Sequence, residues 1–319
     1  MNPLVSILIT AYKRTDFLSN AIESALNQTF ADSEIIIADD SGYSAAEDIC
    51  RPYFHAGRIR YRPNPQTLGI AVSLRRAIES TAGKYITILN DDDIWEPEFL
   101  ASLIPPLEAD SRRVLAFSDH WIMAENGALD VAATDANTVH YGRSSLLEGD
   151  ISDTAKFVLI QNGVPLAMAS VFRKDALDVA LLTSAVAGAY DFWISCVLAA
   201  SRAPFYYIPK RLTRYRVHSR METGRPSPNK SECHVYIASQ LLERGWFPEM
   251  QRHLRSKLAG ALFRAGRDRL YFNERRQAQR YFIRSFLTRP DWKPAVTGLL
   301  CCLPHAMRRR LRLSIDSMA

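Results

Sequence analysis

The 319-residue chain has no apolar run of about 18 residues, the length a helix needs to cross a bilayer. Its five cysteines, Cys50, Cys196, Cys233, Cys301 and Cys302, are odd in number, and none stands in a CxxC pair. This fits a reducing compartment better than a disulfide framework or a zinc site. The opening stretch MNPLVSILITAYKR carries its basic residues after the apolar run and has no small-residue cleavage site. It reads as a buried strand, not as a signal peptide. No G-x-G-x-x-G follows that strand, which disfavours a dinucleotide site. Acidic residues are scarce at one end: residues 250–319 hold 4 Asp+Glu against 16 Lys+Arg, whereas residues 1–249 hold 30 against 24. The sequence pI near 9.1 therefore belongs to the tail. With no nucleic-acid motif, a nucleic-acid partner is not expected.

Strands and helices alternate along the first half. LVSILIT (4–10), EIIIADD (34–40), RIRYRPN (58–64) and KYITILN (84–90) read as strands, three of them apolar enough to be covered on both faces. Between them lie a helix with Phe17, Leu18, Ala21, Ile22, Ala25 and Leu26 on one stripe, opened by Thr15 or Asp16, a short helix from about Ala45, and a helix over 70–81 stopped before Gly83. This order predicts a parallel sheet with its ligands beyond the carboxyl ends of the strands. Thr10, Ala11, Tyr12, Asp39, Asp40 and Asp91–Asp93 all fall at those ends.

Farther on, a helix over 97–109 is expected to end or kink near Ile104, before Pro105-Pro106. VLAFSDHWIMAENGA (114–128) reads as a strand and an Asn126-Gly127 turn, and 129–152 as an irregular excursion. Strands at 166–173 and 204–218 flank a helix at 191–202. Residues 219–232 have linker composition, and from Cys233 the chain reads as helical and basic.

ILNDDDIW (88–95) places three carboxylates in succession at a strand end. Two such charges about 4 Å apart repel by roughly 4 kcal/mol at an effective dielectric near 20. Water, a basic partner or a bound cation must offset that.

VSILITAYKRTDFLSNAIESALNQTF, EIIIADDSG, GIAVSLRRAIESTAGKYITILNDDD and AYDFWISCVLA, in that order, resemble the family 2 glycosyltransferases over residues 3–218. The resemblance implies an α/β GT-A (nucleotide-diphospho-sugar transferase) fold: a mostly parallel central sheet flanked by helices, with a C-terminal helical extension. It implies a catalytic domain at 1–218, with a nucleotide-sugar half at about 1–128 and an acceptor half at about 129–218, then a linker at 219–232 and a basic helical region at 233–319.

The implied activity is inverting, metal-dependent transfer from a nucleotide-diphosphate sugar, a UDP-sugar foremost, to a glycan or polyprenyl-linked saccharide. The DxD motif maps onto Asp91 and Asp93, with Asp92 between them. These residues would hold Mn²⁺ or Mg²⁺ on the donor diphosphate, as hard oxygen ligands suit, and His218 is a further candidate ligand. Asp39 maps onto the carboxylate that reads the base, and Thr10, Ala11 and Tyr12 onto the loop around base and ribose. Asp40 either joins them or caps the next turn. Asp191 maps onto the catalytic base, although Asp is also a favoured helix cap.

The chain departs from the family pattern at Leu74-Arg75, where an Arg-Asn pair is usual, and at Tyr190, where an acid often precedes the base. Arg75, Arg76, Arg214, Arg216 and Arg220 are candidates for phosphate contact; Asp119, Trp121 and Trp193 are candidates for an acceptor pocket. The tail, with Phe282, Ile283, Phe286 and Leu287 at helical spacing, fits an anionic membrane surface at the cytosolic face or packing on the catalytic domain. Two other readings stay open: a nucleotidyltransferase making activated sugars, and a degenerate scaffold or membrane-docking subunit.

Overall fold

The computed structural model describes residues 2–13, 15–43, 46–57, 59–221, 227, 231–291, 296–298 and 300. The chain divides into two compact units, Met1–Met221 and Glu222–Ala319.

The first unit opens with β1 (Val5–Ala11), α1 (Leu18–Leu26), β2 (Ser33–Asp39), α2 (Glu47–Cys50), β3 (Ile59–Pro63), α3 (Ile70–Glu79) and β4 (Tyr85–Asn90). It continues through β5 (Ile94–Trp95), α4 (Phe99–Ala109), β6 (Leu115–Ala124), β7 (Leu129–Asp130), α5 (Val131–His140), β8 (Gly149–Ile151) and α6 (Thr154–Lys156). α7 (Leu166–Ala169), β9 (Ser170–Arg173), α8 (Tyr190–Ala200) and β10 (Phe205–Val217) complete it.

The strands form one sheet in the order β3-β2-β1-β4-β9-β6-β10-β5, with β7 on β6 and β8 on β10. β3, β2, β1 and β4 are parallel throughout, as the alternation predicts. β9 then runs antiparallel to both β4 and β6, and joins this half to the parallel β6–β10 pair. The sheet is thus more mixed than expected.

All seven residues of β1 are buried because helices cover both faces. Val5, Ile7 and Ile9 pack with Leu18, Ala21, Ile22 and Ala25 of α1 and with Ile35 and Ile37 of β2. Each large aliphatic side chain buried there contributes roughly 1.5–3 kcal/mol. Gly83 is required where the chain enters β4: a Cβ there would lie 2.6 Å from the Ser6 amide nitrogen.

Three local expectations give way. α1 starts after Phe17 with no side-chain cap, because Asp16 pairs instead with Arg220. α4 runs through Pro105 and Pro106 to Ala109. The carbonyls deprived of donors are those of Ala101 and Ser102, the first exposed and the second half-buried, where water can replace the missing bond. The excursion 129–152 holds a ten-residue helix, α5, whose N-cap Asp130 accepts from the Ala133 amide.

In the second unit, α9 (Glu232–Arg244), α10 (Gln251–Tyr271) and α11 (Arg275–Thr288) pack around Val235, Ala261, Leu262, Ala265, Ala278 and Phe282. The inward face of α11 is Ala278, Phe282 and Ser285, so Ile283 and Leu287 point outward, 57% and 73% exposed. The expected single apolar stripe is therefore split. No helix among the described residues is long and apolar enough to cross a membrane. Most of the expected linker, Cys301, Cys302 and the basic stretch after them lie outside the described residues.

Candidate active site

The carboxyl ends of β1, β2 and β4 lie side by side, with Thr10 opposite Asn90 and Ala11 opposite Asp39. Tyr12, just past β1, is 45% exposed, and Tyr43, past β2, is 60% exposed. Two aromatic faces thus flank this edge at the surface.

Asp39 is wholly buried beneath it. Its Oδ1 accepts from the Ser41 amide (2.9 Å), and its Oδ2 accepts from the Ala46 amide (3.3 Å) and the Tyr61 hydroxyl (2.7 Å). A carboxylate so enclosed organises the turn after β2. Asp40 does the same for the next loop, accepting from Asn64 Nδ2 (2.9 Å) and from the amides of Leu68 (2.9 Å) and Gly69 (2.8 Å). Of its two open roles, Asp40 therefore fills the structural one: it orders the start of α3, where Gly69 has φ +85°.

The three successive aspartates point different ways. Asp93 is fully buried; its Oδ1 accepts from the Arg216 amide (3.0 Å) and its Oδ2 from Asn90 Nδ2 (3.0 Å). Burial first, then the neighbouring Asp92 charge, pushes its carboxyl well above the usual range. Asp92 keeps some exposure, and its Oδ2 lies 3.1 Å from His218 Nε2. The Arg220 amide donates to His218 Nδ1 (3.3 Å), which assigns the ring proton to Nε2, facing Asp92. Asp92 thus faces His218, and Asp93 is turned inward.

Arg216 answers the repulsion within the turn. It is nearly buried and donates through Nε to the Asp92 carbonyl (2.9 Å) and through Nη1 to the Glu125 carbonyl (2.9 Å). Its guanidinium lies over the Phe17 ring, 4.3 Å from the centroid, and the same ring meets His218 edge-on. Among the described residues no group of three or more His, Cys, Asp or Glu side chains encloses a metal site. Asp91 and Asp92 carry the oxygens that a hard cation prefers, its other ligands being phosphate and water, while both ring nitrogens of His218 are engaged, by Asp92 and by the Arg220 amide.

Helix α8 brings Asp191 to this edge. The buried Tyr190 donates to Asn90 Oδ1 (3.0 Å), which sets the start of α8 against the aspartate turn. Burial and then the charges of Asp191 and the three aspartates raise the Tyr190 hydroxyl pKa. Asp191 lies in the first turn of α8, and Ala189 takes the cap position, so Asp191 is not the N-cap. Its Oδ1 accepts from the Phe192 amide (2.7 Å), and burial raises its pKa despite that bond.

The other candidates lie elsewhere or hold other partners. Arg214 forms a two-point pair with Glu96 (2.6 and 3.1 Å). Arg75 lies 3.8 Å from Glu79, and Arg76 is exposed on α3. Asp119 accepts from the buried Arg143 (3.0 Å) and from Thr138 (2.7 Å), an internal tie that leaves it no place in an acceptor pocket. Trp193 is core, with Nε1 donating to the Leu181 carbonyl (3.0 Å). Trp121 remains half-exposed under the Arg211 guanidinium (4.5 Å). Sequence reasoning missed Asn90 and Tyr61; the only signal was an amide directly before the aspartate run.

Residues 6–129 match the family model described as Glycosyl transferase family 2. Over those residues the chain is similar to that family. An uncharacterized glycosyltransferase of Methanocaldococcus jannaschii is 29% identical over 221 residues, 68% of this chain and 72% of that protein. Among the first four relatives, the share of the other protein that is matched falls from 72% to 33%.

The fold is GT-A. It is similar to TarS of S. aureus in complex with UDP-GlcNAc, with a TM-score of 0.65 and 13% identity, covering 91% of this chain and 82% of that one. The mannosyltransferase PcManGT of Pyrobaculum calidifontis, in complex with GDP-Man and Mn²⁺, gives a TM-score of 0.56 at 12% identity, over 97% of this chain and 83% of that one.

Proposed function

We propose that this glycosyltransferase is inverting and metal-dependent, taking its sugar from a nucleotide diphosphate, foremost a UDP-sugar. The reading rests on one observation: Tyr190, next to Asp191, donates to Asn90, which directly precedes the aspartate turn where Asp92 lies 3.1 Å from His218. Thr10, Ala11 and Tyr12 would receive the base and ribose, with Tyr43 on the far side. Asp39 and Asp40 would hold the loops that shape this pocket. Asp91 and Asp92 would hold Mn²⁺ or Mg²⁺, with phosphate and water completing its shell; His218 would orient Asp92, and Asp93 would support the turn from within. Such a cation acts as a Lewis acid, neutralising charge on a departing diphosphate.

Asp191 takes the proton of the acceptor hydroxyl as its oxygen bonds to the anomeric carbon and the bond to the diphosphate breaks. One displacement of this kind inverts the centre. The raised pKa makes Asp191 a better base than a solvated aspartate. Residues 1–128 would bind the donor and 129–218 the acceptor, a glycan or a polyprenyl-linked saccharide. The outward Ile283 and Leu287, with Arg276, Arg280 and Arg284 also exposed on α11, fit an anionic membrane surface at the cytosolic face.

Product analysis with UDP-sugars and Mn²⁺ tests the reaction class. Release of a nucleoside diphosphate is expected. Release of pyrophosphate would mean nucleotidyl transfer, and neither product would leave a degenerate scaffold.

A further inference from the structure

Tyr190 directly precedes Asp191, and the base assignment gives it no role. Its ring is buried, so a phenylalanine would fill the same space. The hydroxyl, however, points at Asn90 Oδ1, 3.0 Å away. Asn90 is a junction. Its Oδ1 also receives Thr10 Oγ1 (3.5 Å), and its Nδ2 donates to Asp93 Oδ2 (3.0 Å). Asp93 in turn holds the Arg216 amide (3.0 Å), two residues before His218. One continuous set of hydrogen bonds therefore joins β1, the aspartate turn, β10 and α8.

Resting on the assignment of Asp191 above, we propose that Tyr190 is a positioning residue for transfer: through Asn90 it fixes the helix bearing Asp191 against the aspartate turn. The base sits on one side of this link, and the residues that hold the diphosphate end on the other. A buried, directional bond suits that task, because a misplacement of about 1 Å in a reacting group can cost about 10²-fold in rate. Asn90 differs from Tyr190 in reach. It supports both sides, so its loss should affect donor binding as well as turnover.

The test is a double-mutant cycle on the full chain with Tyr190→Phe and Asn90→Ala, measuring kcat, KM for the donor and Kd for UDP with Mn²⁺. Tyr190→Phe is expected to lower kcat about tenfold, equivalent to about 1.4 kcal/mol, with KM and Kd within about twofold of wild type. Asn90→Ala is expected to lower kcat and weaken UDP binding. The double variant is expected to have no lower kcat than Asn90→Ala alone, since both remove the same link. A wild-type kcat in Tyr190→Phe, even with a lowered Tm, would reduce the residue to core filling and overturn the proposal. Fully multiplicative losses would overturn it as well. Asp191→Asn is measured in parallel. Collapse there with normal Tyr190→Phe turnover defeats the positioning role alone, whereas retained turnover in Asp191→Asn defeats the base assignment and the proposal resting on it.

Discussion

Replacing Asp191 by asparagine separates chemistry from architecture. The side chains have nearly the same shape, and an asparagine Oδ1 can keep the 2.7 Å bond from the Phe192 amide. The first turn of α8 therefore persists, and what disappears is the ability to take a proton. General-base catalysis is worth about 10²–10⁴ in rate, or about 2.7–5.4 kcal/mol of barrier. The kcat of Asp191→Asn should fall by that factor, with UDP affinity unchanged.

Stability should move the other way. The folded-state pKa of Asp191 is raised by burial above the ordinary 3.8. Its contribution to stability is then fully present below the unfolded value and is lost as pH rises through the raised folded value. At neutral pH the ionised carboxylate is a liability that asparagine removes, so Tm should hold or rise. In the wild type, kcat should fall as pH drops through that same raised value. Radiolabelled sugar transfer, calorimetric titration of UDP and thermal denaturation together decide the matter. Near-normal turnover, or lost turnover accompanied by lost UDP binding and a lowered Tm, would refute the reasoning.

Asp39→Asn should cost about 1–3 kcal/mol in chemical denaturation, because its amide cannot accept from all three donors at Ser41, Ala46 and Tyr61. Arg216→Met should cost about 3–5 kcal/mol by the same measure, since it removes the buried cation beside Asp92 and Asp93. Trp193→Ala should cost about 3–5 kcal/mol of stability as a core truncation; a raised acceptor KM in Trp193→Phe, with stability intact, would return that residue to the acceptor pocket.

The parallel half of the sheet was legible because β1, β2 and β4 are runs of buried aliphatic residues ending in polar ones. The antiparallel insertion of β9 was not, since SVFR (170–173) carries the same apolar signature in either direction. α4 was misjudged because the carbonyls that Pro105 and Pro106 leave without donors, those of Ala101 and Ser102, lie on its more exposed side, where water replaces the lost bonds. α5 has small and polar residues with little periodicity, and its cap at Asp130 was the readable clue. At the site, sequence named the aspartates but not their directions. Which of three successive carboxylates faces outward depends on long-range partners, Arg216 and His218, that lie more than 120 residues away. Likewise Asp39 and Asp40 could be placed at a strand end, but their burial under Tyr61 and Asn64 follows from the packing of β3 and the loop after it.

Calorimetric titration of UDP into the protein, with and without Mn²⁺, tests the site most directly when Asp92→Asn and His218→Ala are titrated beside the wild type. Binding by the wild type should require Mn²⁺ and should be lost or greatly weakened in both variants. Wild-type binding that ignores Mn²⁺, or variants that bind as tightly as the wild type, would contradict a diphosphate held through Asp92 and His218.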